Sequence, residues 1–260
     1  MSEEFCKPIK EIKLDQTQAV ENRYGAAAHA KESCLCSPVS FNPKYLEVIP
    51  KKIIDLDYGC GDPTKYVKAG DHVLDLGSGS GKNAFICSQI VGRNGSVVGI
   101  DRNERMINLS TQSIPIVAKA IGYSNVHFIR GSIEETEIET SKDNPLIKSG
   151  SFDIVISNCV LNLVNMEKRR TLLNNIKRVL KANGRICISD IVSDQEVPLE
   201  LQRDPDLWSG CISGAWQEDE FIADFVQEGF NNAKYVQRSE EPWKVIQGIQ
   251  FRSVTLEASL

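Results

Sequence analysis

The 260-residue chain contains no apolar run near the roughly 18 residues that cross a bilayer, and its first residues (MSEEFCKPIKEIK) lack the apolar core of a signal peptide. It also lacks a basic block: 30 Lys and Arg stand against 35 Asp and Glu, a net charge of −5, which argues against a nucleic-acid-binding surface. There is no C-x-x-C pair, and the three histidines (His29, His72, His127) are scattered, so a structural zinc site is not expected. The eight cysteines are too few for a disulfide scaffold. These absences predict a cytoplasmic protein with neither membrane nor nucleic acid as partner, its cysteines held as thiols by a reducing compartment. A monomer is expected. What is present is an ordinary globular composition, 41% apolar and 25% charged.

The pattern along the chain alternates. After a helical stretch from Leu14 to about Lys31 and a loop from Ser33 to Pro38, a helix is expected near Pro43 to Asp55 and a tight loop at Asp57 to Pro63 (DYGCGDP). Strands are predicted at His72–Leu76, Ser96–Ile100, Val126–Ile129, Phe152–Ser157 and Arg185–Ile191. The helices between them are expected at Lys82–Val91, at Glu104–Ile121 (interrupted or bent by Pro115) and at Met166–Leu180, with a polar surface loop over Glu134–Gly150. A last helix near Gln217–Gly229 precedes late strands at Lys234–Arg238 and Gln250–Ala258. Strands separated by helices imply an α/β fold with a mostly parallel sheet covered on both faces. Three regions follow: an N-terminal cap with helix and cysteine loop over 1–57, a Rossmann-like core over 58–192, and a late insertion, helix and final strands over 193–260.

The segment Asp75–Gly81 (DLGSGSG) lies directly after the first strand and before a helix. Glycines there let backbone approach a ligand, and the helix N-terminus favours electronegative groups. Asp101, at the end of the second strand, is placed to accept hydrogen bonds from ribose hydroxyls. A phosphate-binding P-loop fails on spacing, because three residues separate Gly77 from Gly81 and Asn83 follows Lys82. A dinucleotide fingerprint fails because position 82 is lysine. Asp75 with the three glycines resembles the D-x-G-x-G-x-G loop of class I methyltransferases, which implies S-adenosylmethionine as the cofactor. The expected contacts are Asp75, Gly77, Ser78, Gly79, Gly81, Asp101 and Arg102, then Ile133 and Glu134 of Gly131–Glu134 (GSIE), and Asn158. The Asn/Asp-Pro-Pro-aromatic tetrad of nucleic-acid amino-methyltransferases is missing after the fourth strand, where Ser157-Asn158-Cys159 stands.

Ligands of such folds sit beyond the carboxyl ends of the strands. Cys159 follows strand four and belongs to that edge, and the loops holding Cys60 and Cys211 can reach it. Cys87 within a helix and Cys187 within a strand read as packing residues, and Cys6 has no inferred role. Tyr58-Gly59-Cys60-Gly61, the DLGSGSG loop, Ser157–Val160 with Asn162-Leu163, and Trp208–Ala215 (WSGCISGA) together resemble the arsenite S-adenosylmethionine methyltransferases. The resemblance extends from about Tyr24 to Ala258.

It implies that Cys159 and Cys211 bind trivalent arsenic. Cys60 is then a further ligand that forms a disulfide during turnover with an N-terminal cysteine, either Cys36, favoured from Leu35-Cys36-Ser37-Pro38, or Cys34. Trivalent arsenic is soft, so thiolates suit it, and its lone pair can take a methyl group without a general base. The implied substrates are arsenite or methylarsenite, and the implied reductant is glutathione or a thioredoxin. Three departures stand out: Asn83 where relatives often carry an acid, Arg102 where they often carry methionine, and an end at Leu260 where many continue into a small domain, so either a shorter form or a truncated chain is expected. The alternatives are a methyltransferase for an organic small molecule and a non-catalytic metalloid-binding protein.

Overall fold

The structure is a computed structural model that describes residues 39–56, 58–134 and 147–260. The expected helix over Leu14–Lys31, Cys34, Cys36 and most of the Glu134–Gly150 loop lie outside the described residues. Two short helices, α1 (Pro43–Leu46) and α2 (Lys51–Asp55), replace the single helix expected near Pro43–Asp55. Pro50 separates them, because a proline disfavours helical geometry in the residue before it, and Pro50 itself is extended at ψ 135°.

The core then runs β1 (His72–Leu76), α3 (Lys82–Val91), β2 (Ser96–Asp101), α4 (Glu104–Ile121), β3 (Val126–Arg130), β4 (Phe152–Asn158), α5 (Arg169–Val179) and β5 (Leu180–Ser193). Helix α4 passes through Pro115 without ending. The irregular segment after β5 holds two short helices, α6 (Leu199–Gln202) and α7 (Pro205–Ser209). After them come β6 (Trp216–Gln217), α8 (Glu218–Gln227), β7 (Asn231–Arg238), β8 (Lys244–Ile246) and β9 (Ile249–Ser259).

Among the described residues all the strands join one sheet, whose main order is β3-β2-β1-β4-β5-β9-β7. The first five are parallel, and β9 enters antiparallel to β5 through nine registered pairs, from Arg185↔Ser259 to Ser193↔Phe251. The apolar strands are explained by burial on both faces. Alternate residues serve opposite cores: Leu74, Val155, Ile186 and Ile188 pack with Leu172 and Ile176 of α5 and Phe221 and Phe225 of α8. Val73, Ile154, Ile156 and Cys187 pack on the other side with Ile53, Phe85 and Ile86. This is the three-layer α/β arrangement expected from the alternation of strands and helices. Strand order reverses at β1 and β4, which opens a crevice at their carboxyl ends, where ligands of open α/β sheets bind.

Candidate active site

At that crevice lies a cavity of about 580 Å³. One wall is the glycine loop, which the chain builds from its own backbone. The Ser78 N–H donates to the Ile100 carbonyl at 2.9 Å, and the Gly79 N–H donates to Asp101 Oδ2 at 2.9 Å. The second Asp101 oxygen accepts from the Asn103 N–H at 2.8 Å. Burial pushes the Asp101 carboxyl up, and these two N–H groups and Arg102 oppose the shift. Ser80 Oγ ties the loop to the carbonyl of Ile53 at 2.8 Å. Gly79 has φ +52° with open space where a Cβ would project, so only glycine keeps this backbone both unstrained and approachable.

Of the expected cofactor contacts, Gly77, Ser78, Gly79, Asp101, Arg102, Ile133, Glu134 and Asn158 line the cavity. Arg102 and Glu134 face each other at 3.7 Å as an ion pair. Asp75 and Gly81 do not line it. Asp75 shares with Val73 the sheet face that packs on α3 and is 1% exposed. Gly81 caps α3 at φ +94°, with Phe128 only 2.6 Å from where a Cβ would stand, so its role is to let helix and sheet close up. Ser78 Oγ, Asn83 Oδ1 and Ser132 Oγ are buried without a hydrogen-bond partner among the described residues, and all three residues line the cavity. Unmet polar atoms beside an approachable glycine backbone fit a polar cofactor such as S-adenosylmethionine.

The cysteines gather at the same edge. Asn158 holds the Cys60 loop: its Oδ1 accepts from the N–H groups of Cys60 at 2.9 Å and Gly61 at 3.2 Å, and its Nδ2 donates to the Gly61 carbonyl at 2.8 Å. Gly59 and Gly61 cannot be enlarged, since a Cβ would come within 2.5 Å of Asn158 Nδ2 or 2.4 Å of Ser189 Oγ. Asn158, expected as a cofactor contact, therefore also anchors the cysteine loop.

Cys60 and Cys159 form a disulfide with Cα atoms 5.9 Å apart. This corrects the expectation that every cysteine is a thiol. The bond brings Cys60 to the sheet edge; Cys36 and Cys34, the partners that the resemblance implied, lie outside the described residues. The reason is local: Asn158 pins one cysteine and immediately precedes the other. Cys211 is a buried thiol whose Sγ donates to the Cys159 carbonyl at 3.4 Å. Cys159 (φ +60°) and Cys211 (φ +61°) both hold left-handed backbone, which a side chain adopts at a cost. Cys87 and Cys187 are fully buried in the core, where burial pushes their thiols well up, in keeping with a packing role.

Three groups here were given no role of their own from the sequence, although Asn162 stands in a motif that carries the resemblance. Asp190 is fully buried, with a carboxylate oxygen clustered with the sulfurs of Cys60 and Cys159, all within 4.8 Å of one another. It accepts from the N–H groups of Leu161 at 2.9 Å and Ile191 at 2.8 Å, and burial pushes its carboxyl up to about 7. Asn162 Nδ2 bridges the carbonyls of Ile191 (2.7 Å) and Cys211 (3.3 Å), linking the two cysteine segments. Arg169 stacks 3.5 Å over the Trp216 ring and donates to the Gly214 carbonyl, clamping the loop after Cys211. Besides the Asn162-Leu163 pair, an acid inside the apolar run ICISDIVS was a signal visible in the residues alone.

Residues 67–238 match the family described as a methyltransferase domain. The chain is 32% identical over 230 residues to an arsenite methyltransferase of Aquipseudomonas alcaligenes, covering 85% of this chain and 63% of that one. It is 33% identical to an arsenite methyltransferase of Mus musculus, covering 78% of this chain and 55% of that one. An arsenic(III) S-adenosylmethionine methyltransferase from Chlamydomonas reinhardtii superposes with a TM-score of 0.74 at 28% identity, covering 85% of this chain and 74% of that one. The chain thus spans less than two thirds of the length of these curated relatives. With the sheet order, the glycine loop and Asp101 in place, the chain belongs to the methyltransferase-domain family.

Proposed function

We propose that this chain transfers methyl groups from S-adenosylmethionine to trivalent arsenic held by cysteine thiolates, giving methylarsenicals. The observation that carries the reading is that Cys60, Cys159 and Cys211 pack in one buried cluster, of which Cys159 lines the donor cavity. The similarity to arsenite methyltransferases supports it.

S-adenosylmethionine, when bound, supplies an electrophilic methyl group. The backbone of Gly77–Gly79 and the side chains of Asp101 and Glu134 are suited to hold it, and Ser78, Asn83 and Ser132 offer it unmet polar atoms. Arsenite or methylarsenite is the substrate. Thiolates of Cys159 and Cys211, with Cys60 as third ligand, replace its oxygens and leave its lone pair free. Arsenic held on Cys159 stands beside the donor, and no proton has to leave it, so catalysis rests on positioning.

The Cys60–Cys159 bond must be reduced before arsenic binds, so an external thiol is a co-reactant. In this reading the work belongs to the cytoplasm, as arsenic detoxification. The test is purified protein with S-adenosylmethionine, glutathione and arsenite, with arsenic species separated by chromatography. Methylated arsenic that disappears in Cys159→Ser and Cys211→Ser, both still binding S-adenosylmethionine, is expected. Undiminished methylation in either variant overturns the assignment.

A further inference from the structure

Two sulfurs and a carboxylate meet beside the donor cavity. The sulfurs of Cys60 and Cys159 and an oxygen of Asp190 all lie within 4.8 Å of one another, and all three residues are buried. Donors bonded to one tetrahedral Zn²⁺ at about 2.3 Å (sulfur) and 2.0 Å (oxygen) stand roughly 3.5–3.8 Å apart, so small side-chain rotations bring these three onto a single ion. Their backbones are already fixed. The Cys60 N–H donates to Asn158 Oδ1 at 2.9 Å and the Cys159 N–H to the Ser189 carbonyl at 2.8 Å. Asp190 sits within β5, its two oxygens accepting from the Leu161 and Ile191 N–H groups. Each oxygen keeps a second lone pair for an ion.

Charge argues in the same direction. With the bridge reduced and the sulfurs ionised, the cluster carries three negative charges out of water, which a nearby positive charge must offset. The cation acting on Asp190 is Arg169, whose guanidinium is committed to the Trp216 ring and the Gly214 carbonyl.

We propose that the reduced chain holds a divalent thiophilic cation such as Zn²⁺ on Cys60, Cys159 and Asp190. This set differs from the arsenic set by one member each way. Asp190 serves the cation and not arsenic, whose soft trivalent centre takes sulfur. Cys211 serves arsenic and not the cation, because its sulfur stands outside the cluster and donates to the Cys159 carbonyl at 3.4 Å. On binding, each of the two cysteine thiols releases its proton to solvent and gives the ion a thiolate electron pair, and no electron is transferred. Zn²⁺ then competes with arsenite for the two shared sulfurs. Only this competition rests on the proposed arsenic chemistry.

The test starts without arsenic or methyl donor. The full chain is reduced with a phosphine, freed of it under argon and titrated with Co²⁺, a coloured stand-in for Zn²⁺. One equivalent is expected to give thiolate-to-cobalt charge-transfer and tetrahedral d–d bands, which Zn²⁺ abolishes. Asp190→Asn, still binding S-adenosylmethionine, and Cys60→Ser are each expected to weaken Co²⁺ binding at least tenfold, whereas Cys211→Ser stays within twofold of the parent. No Co²⁺ bands, undiminished binding in Asp190→Asn, or a tenfold loss in Cys211→Ser overturns the proposal. Zinc K-edge X-ray absorption on the parent chain decides the matter if Asp190→Asn does not fold: two sulfurs with lighter donors are expected, and three sulfurs refute it. Saturating Zn²⁺ is further expected to weaken arsenite binding at least tenfold, read by tryptophan fluorescence. Absence of arsenite binding beside intact Co²⁺ uptake contradicts the methylation reading and leaves the cation site supported.

Discussion

At the scale of single residues, the site depends on polar groups that hold the cysteine backbone. Asn162 donates to two carbonyls on separate segments and is itself fully buried, so Asn162→Leu leaves the Ile191 and Cys211 carbonyls without that donor. A loss of about 1–3 kcal/mol in stability is expected, with a raised KM for arsenite and an unchanged Kd for S-adenosylmethionine, measured by denaturant unfolding, kinetics and calorimetry. Asp190 gives a pH signature. Its folded carboxyl titrates at about 7, against 3.8 when unfolded, so the folded state binds the extra proton between those values. Its contribution to stability therefore falls as pH rises from about 4 to 7. Unfolding curves across that window should show a component of this sign that is missing in Asp190→Asn; identical pH profiles would contradict it. Cys60 and Cys211 drew notice in the sequence because thiols in glycine-rich or irregular loops are seldom mere packing, and the structure clusters them with Cys159. Asp190 and Asn162 act through hydrogen bonds to backbone about 29 or 49 positions away, contacts that no local pattern displays.

At the scale of elements, the strand–loop–helix unit around the glycine loop was readable in full, from His72 to Val91, because its apolar run, turn glycines and helix start all agree. The same segment yields a prediction. Gly81→Ala meets both a left-handed φ of +94° and the Phe128 ring 2.6 Å from its new Cβ. A destabilisation of roughly 1–3 kcal/mol is expected by thermal or denaturant unfolding, accompanied by weaker S-adenosylmethionine binding because α3 and the loop move together. The irregular segment after β5 resisted reading. Helices α6 and α7 are four and five residues long, too short for a helical period, and the Cys211 loop is held in place by Arg169 from α5. Arg169→Ala removes both the stack on Trp216 and the donor to Gly214. Arsenite binding, followed by tryptophan fluorescence, should weaken at least tenfold while S-adenosylmethionine binding is retained; equal loss of both would point to general unfolding.

At the scale of the whole molecule, one sheet brings distant segments to one edge. The loop before β1, the end of β4 and the segment after β5 deliver Cys60, Cys159 and Cys211 to the place where strand order reverses. Alternation of strands and helices in the sequence was enough to foresee this edge. The antiparallel insertion of β9 between β5 and β7 was not, since its pairing with β5 joins residues 58 to 74 positions apart, from Ser193↔Phe251 to Arg185↔Ser259. The central claim is that the three sulfurs meeting at this edge form one arsenic site. Arsenic K-edge X-ray absorption on the reduced protein with one equivalent of arsenite tests it most directly. A shell of three sulfurs that loses one in each of Cys60→Ser, Cys159→Ser and Cys211→Ser is the predicted result. An arsenic shell unchanged in all three variants would contradict it.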